Sequence, residues 1–209
     1  MQRMMGRKGA WGLLMGCMLA SSLCLAGKYN EKLSIGDQAP SWNALPGVDG
    51  NDHASQEWKD RDILVVVFTC NSCPYAKDYE GRINQLAKKY QASDSKVAVV
   101  AINVNKVKDD LLPAMKDRAK EQGLIYPYLF DESQQIAKEF GATRTPEFFV
   151  LNKERKIVYM GALDDNTKEA SVQKHYVEDA ITAALSKSAV AITETPPVGC
   201  AIRFARERK

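Results

Sequence analysis

The chain reads as an α/β protein: a central mixed β-sheet flanked by helices, with an N-terminal β-hairpin extension and a central helical insert. Three observations predict this. Residues 62–68 and 96–103 are short apolar runs without alternation, the pattern of strands buried on both faces. The segment between them repeats its apolar residues at three- and four-residue steps, so strand, helix and strand make a right-handed parallel crossover. Residues 147–151 and 156–160 are apolar runs separated only by a charged turn around Asn152 and Arg155, which makes them antiparallel neighbours. The order is βαβ, an insert, then ββα, and helices must cover the faces of such a sheet.

The elements follow in turn. Residues 27–60 form an extension with turn signals at Gly36-Asp37, Ala39-Pro40, Pro46-Gly47 and Asp49-Gly50, suited to a short hairpin ahead of the first core strand. The helix after Pro74 would bury Tyr75, Tyr79, Ile83, Leu86, Ala87 and Tyr90, and Pro74 fits its first turn because the missing N–H has no partner there. Residues 109–122 read as a helix interrupted near its start by Pro113 and stopped by Gly123. Residues 126–130 suit a short strand, and 131–140 a short helix with an acidic start and Gly141 at its end. A last helix over 168–186 would turn Val172, Tyr176, Ile181 and Leu185 toward the sheet. Residues 61–186 are then the core, and 187–209 a tail with a basic, solvated end.

At 209 residues and 45% hydrophobic, the chain supports one sizeable core with appendages. Its 29 Lys+Arg stand against 26 Asp+Glu, but Arg3, Arg7 and Lys8 lie in a first segment without acids, so the body is neutral. A neutral body offers no electrostatic case for nucleic acid. The only long apolar run lies in residues 10–26, which excludes a polytopic membrane protein. Residues 1–26 read as a signal peptide, with Ala26 before Gly27 as the cleavage point. An uncleaved anchor, or a lipoprotein with Cys17 or Cys24 lipidated, are the rival readings. Each exports the body to a periplasmic or secreted location, and cleavage would leave no integral membrane domain.

Export leaves three cysteines, Cys70, Cys73 and Cys200, an odd number. An exported compartment favours disulfides, yet three Cys make no framework, and a Cys70–Cys73 loop is too small to constrain the unfolded chain much. A reactive pair plus a spare thiol is the expectation. Cys70-Asn71-Ser72-Cys73 falls where a buried strand gives way to a helix, and the unpaired N–H groups there favour a thiolate. Cys70, outside the helix and nearer solvent, would attack a partner disulfide, and Cys73 would resolve the mixed disulfide. Zinc would need four ligands from three Cys plus His53 and His175, and neither His has a ligand-like neighbour, so no metal is expected. No orienting third group suggests a His-dependent Cys hydrolase. Without a Gly-rich nucleotide loop, no organic cofactor is expected either. The charged stretch 106–120 reads as a solvated helix face. In Arg144-Thr145-Pro146-Glu147 the proline either sets an ordinary turn or forms a cis peptide, and the residues alone leave both open.

Three stretches, C-N-S-C-P-Y-A-K, the Y-P-Y-L-F-D-E that leads to G-A-T-R-T-P-E-F-F, and the terminal P-V-G-C-A-I-R, resemble the thioredoxin-like superfamily. The likeness is to its redoxin (alkyl hydroperoxide reductase/thiol-specific antioxidant) branch and to exported bacterial thioredoxin-like proteins, over residues 33–203. The resemblance implies a thioredoxin-like fold and a thiol–disulfide oxidoreductase working through a Cys70–Cys73 dithiol/disulfide on partner proteins. It also implies that Pro146 is the cis-Pro beside the redox pair and that the Thr145 backbone receives a partner peptide as an added strand. There are departures. Thr69 stands where thioredoxins carry a Trp, and Leu64 where many keep a buried acid. The peroxidase pattern P-x-x-x-T-x-x-C is absent around both cysteines, which weakens the alternative of a peroxide-reducing, antioxidant redoxin in which Arg144 would contact an anion. A non-enzymatic binding protein on the same fold is the remaining alternative. Cys200 is either a third redox thiol reaching the site from a mobile tail or an idle, buried Cys.

Overall fold

The structure is a computed structural model that describes residues 27–206; the signal-peptide reading of 1–26 lies outside the described residues. The extension contributes the expected hairpin, β1 (Leu45–Pro46) paired antiparallel with β2 (Asp52–His53). The core follows as β3 (Ile63–Phe68), α1 (Pro74–Lys89), β4 (Val97–Asn103), α2 (Leu112–Gln122), β5 (Tyr128–Phe130) and α3 (Gln135–Phe140). It continues with β6 (Arg144–Thr145), β7 (Glu147–Leu151), β8 (Ile157–Gly161), α4 (Tyr176–Leu185) and, in the tail, β9 (Cys200–Ala201). The central sheet has the order β5-β4-β3-β7-β8. β3 runs parallel to β4, and β7 runs antiparallel to both β3 and β8, so the sheet is mixed as expected.

Every residue of β3 is buried, because layers lie on both sides of the sheet. Ile63, Val65 and Val67 pack with Tyr79, Ile83 and Leu86 of α1, Met115 of α2, and Val177 and Ile181 of α4. Leu64, Val66 and Phe68 point the other way, onto Phe140 of α3, Trp42 of the extension and Ile202 of the tail. The period-2 alternation of side chains along a strand thus feeds two separate cores. Gly123 and Gly141 end α2 and α3 in the left-handed region, at φ 60° and 66°.

Three expectations change. Tyr75 is 43% exposed, because it belongs to the first turn of α1, ahead of the stretch that lies on the sheet. The last helix begins at Tyr176, not 168. The Asp165 carboxylate accepts the N–H groups of Gln173 and Lys174 at 2.9 and 3.1 Å, so the segment before His175 closes on that loop. Val172 therefore lies outside the helix, and Leu185 is 40% exposed; the buried line is Val177, Ala180 and Ile181. The tail, third, is no loose appendage. Met160 N–H donates to Thr193, Thr195 N–H donates to Met160, and the buried Thr195 hydroxyl is 2.7 Å from the Tyr159 hydroxyl. Among the described residues no helix is long and apolar enough to cross a membrane.

Candidate redox site

β3 ends at Phe68, Thr69 N–H still donates to Ile102 at 3.0 Å, and the chain then turns through Cys70-Asn71-Ser72-Cys73 into α1. Cys73 is the N-cap: its backbone is extended, and its sulfur accepts the Ala76 N–H at 3.4 Å. The helix-terminus environment assigned from sequence to the motif therefore falls on Cys73.

The loop is held by a 3-10 turn at Lys108–Asp110 and by β5. The fully buried Asp110 carboxylate accepts from Ser72 N–H at 2.8 Å, from the Ser72 hydroxyl at 2.6 Å and from the Asn105 amide at 3.2 Å. The Asn71 amide donates to the Asp109 carbonyl at 2.9 Å, and its oxygen accepts the Tyr128 hydroxyl at 3.0 Å. Burial, and then the neighbouring Cys70, keep the Tyr128 phenol protonated well above its ordinary range. Sequence reading missed these groups. The charged stretch 106–120 places Asp110 on a solvated helix face, whereas it precedes the helix; Pro113, which fits only a first helical turn, is the signal in the sequence.

The sulfur pairing differs from expectation. Cys73 is bonded to Cys200, with the Cα atoms 5.9 Å apart, and among the described residues Cys70 is the free cysteine. Cys200 is thus not a spare free thiol. The pairing follows from β9, which lies antiparallel to β6 with Cys200 opposite Thr145 and so sets its sulfur at the helix end. Cys70 is not the solvent-facing member either. Both Cys70 and Cys73 are 2% exposed, in a small cluster with Ala76 against which Cys200 packs. The Cys70 sulfur is 3.4 Å from the Thr145 hydroxyl, and the Cys73 sulfur 3.2 Å from the Thr145 carbonyl oxygen.

The Thr145–Pro146 peptide is cis, the option that the resemblance implied. Arg144 is exposed, its guanidinium 3.5 Å from the Gly199 carbonyl, so it faces the tail strand. Leu64 sits in the apolar core, and the acids around the site are Asp110 and Glu147. Burial raises the Glu147 carboxyl to about 7, although Thr143 and Arg144 both donate backbone N–H groups to it at 2.8 and 2.9 Å.

Beyond Cys200 the tail is tied down again. Ile202 is buried and donates its N–H to Thr143 at 2.9 Å. Arg203 N–H reaches the Asn105 side chain at 2.9 Å, and Gln134 bonds both the Arg203 carbonyl and the Ala205 N–H. Cys200 therefore sits in a strap anchored on either side, not in a mobile tail.

The family model for Redoxin matches residues 34–176. The chain belongs to the Redoxin family. Its sheet order and flanking helices are the thioredoxin-like arrangement. Thiol-disulfide oxidoreductase ResA of Bacillus anthracis is 25% identical over 141 residues, covering 66% of this chain and 75% of that protein. Among solved structures, an uncharacterized conserved protein from Geobacillus kaustophilus is 33% identical with a TM-score of 0.78, covering 86% of this chain and 96% of its own. A hypothetical protein from Sinorhizobium meliloti 1021 is 31% identical with a TM-score of 0.77, covering 85% and 98%. The family match ends before the strap that carries Cys200.

Proposed function

We propose that the protein is an exported thiol–disulfide oxidoreductase that exchanges electrons with disulfides of partner proteins through Cys70 and Cys73, with Cys200 as a third redox thiol. One observation carries this reading: a free thiol and a disulfide share one buried cluster beside Thr145–Pro146. The name of the ResA relatives supports it, as does membership of the Redoxin family. Export rests on the basic and apolar residues 1–26, and a disulfide between distant residues suits an oxidising compartment.

The chemistry balances as three thiolate–disulfide exchanges. In the reduced protein the Cys70 thiolate attacks one sulfur of a partner disulfide; a mixed disulfide forms and the partner's other sulfur leaves as a thiolate. Cys73 then attacks the Cys70 sulfur, forming Cys70–Cys73 and releasing the partner's second thiolate. Cys200 finally attacks Cys73, forming Cys73–Cys200 and freeing Cys70, which is the state described above. A dithiol donor returns two electrons and two protons by the same exchange and is itself oxidised. No organic cofactor takes part in these steps. The role of Thr145 and Pro146 is to present a backbone edge to the partner segment.

The test is reduction of insulin by the protein lacking residues 1–26, with dithiothreitol as the electron source. The wild type should accelerate precipitation of the insulin B chain, and Cys70→Ser should fall to the dithiothreitol background. Unchanged turnover in Cys70→Ser would reject the assignment.

A further inference from the structure

We infer that the strap copies the backbone path of the substrate, its own cysteine bonded to Cys73 where a partner's would bond to Cys70. Partner segments are extended chains with a glycine just before the reactive cysteine and an apolar residue two positions after it, and they bind only when the strap has left the Arg144–Thr145 edge. This rests on the oxidoreductase reading for its purpose, but not for its geometry.

The register is the first support. β9 pairs antiparallel with β6, Ala201 opposite Arg144 and Cys200 opposite Thr145, so the strap uses the edge on which an added strand would dock. Two chains cannot use one edge. A strap anchored on either side of Cys200 is present at high effective concentration and competes strongly with any free segment.

The second support is steric. Gly199 has φ +149°, and a β-carbon there would lie 2.0 Å from the Thr145 carbonyl oxygen, 2.7 Å from its carbon and 3.2 Å from Pro146 N. All three are backbone atoms of the docking edge, which cannot swing aside as a side chain would. Any chain following this path with its cysteine opposite Thr145 meets the same wall one residue earlier, and only glycine clears it. Beyond the cysteine, Ala201 is exposed and imposes nothing, whereas Ile202 is buried among Phe68, Phe140 and Ile136 of the second core. The site therefore reads Gly-Cys-X-apolar.

Two labelled peptides without redox chemistry, Val-Gly-Ser-Ala-Ile-Arg and Val-Ala-Ser-Ala-Ile-Arg, test this by fluorescence anisotropy under reducing conditions. Gly199→Ala drives the strap from its seat, while Cys200→Ser removes only the bond and keeps the seat. The glycine peptide should bind Gly199→Ala about tenfold more tightly than it binds Cys200→Ser, the change expected when a site roughly nine-tenths occupied is vacated. On Gly199→Ala it should also beat the alanine peptide by at least about tenfold, since one backbone clash separates them. Equal binding of the two peptides, or no binding to a Gly199→Ala protein with wild-type circular dichroism, overturns the inference. If Gly199→Ala does not fold, the reduced wild type decides: excess glycine peptide should quicken alkylation of Cys200 and the alanine peptide should not, and equal rates overturn the inference. Insulin reduction is measured in parallel on the wild type. Its absence alongside peptide discrimination refutes the oxidoreductase reading alone, and its presence without discrimination refutes the strap assignment alone.

Discussion

Glu147 follows the Thr145–Pro146 peptide directly, and its carboxyl shows how burial sets a residue's chemistry. Desolvation outweighs the two N–H donors and raises it from 4.5 to about 7. The folded protein therefore holds this proton more tightly than the unfolded chain does. The resulting stabilisation is complete below the unfolded value of 4.5 and is lost as pH rises through about 7. Urea unfolding should accordingly show stability falling between about pH 5 and about pH 8, with the fall reduced in Glu147→Gln. Parallel pH profiles for the two proteins would refute this. Cys70, Cys73, Thr145 and Pro146 were legible as candidate site residues because short motifs announce them. Asp110 and Tyr128 were not, because their partners Ser72 and Asn71 lie 38 and 57 residues away and no local pattern encodes such contacts.

Arg82 shows how one element is fixed to another. From α1 its guanidinium donates to Asp164 at 2.5 Å, to the Asn166 carbonyl at 3.0 Å and to the Thr167 carbonyl at 2.8 Å, while lying 3.7 Å over the Tyr79 ring. Arg82 and Asp164 are both buried, so the pair bolts the redox helix to the loop after β8. Arg82→Ala would strip the buried Asp164 carboxylate of its counter-charge, leaving it only the Tyr79 hydroxyl and the Asn166 N–H, a loss of about 3–5 kcal/mol, read as a lower urea midpoint at constant m-value. A loss under about 1 kcal/mol would mean that the pair behaves as an exposed one. At this scale the strands were the most legible feature, since β3 is apolar throughout and β4 is apolar up to Asn103. The start of α4 was not, because Asp165 captures amides that periodicity alone assigns to the helix.

In the whole molecule, the Cys73–Cys200 bond ties the end of the chain to the redox helix across 127 residues of sequence. Closing so long a loop restricts the unfolded chain, and the chain-entropy relation gives about 5 kcal/mol of stabilisation. Dithiothreitol should lower the denaturation midpoint of the wild type, and Cys200→Ser should show the lower midpoint with or without reductant. A Cys200→Ser midpoint equal to that of the oxidised wild type would show that the strap's hydrogen bonds and Ile202 hold it without the bond. The strap thus joins stability to redox state: the form with Cys73–Cys200 intact is the closed, more stable one.

Local residue order was enough for the α/β class, the sheet's principal strands, the helix stops at Gly123 and Gly141, and a cysteine pair at a strand–helix junction. Each of these depends on neighbours within a few positions, through side-chain period, turn chemistry or the unpaired amides of a helix start. The partner of Cys73, the burial of Cys70 and the clamp from Asp110 came only with the folded chain. A disulfide needs two Cα atoms within about 7 Å, and only the antiparallel seating of Cys200 opposite Thr145 brings the tail that close.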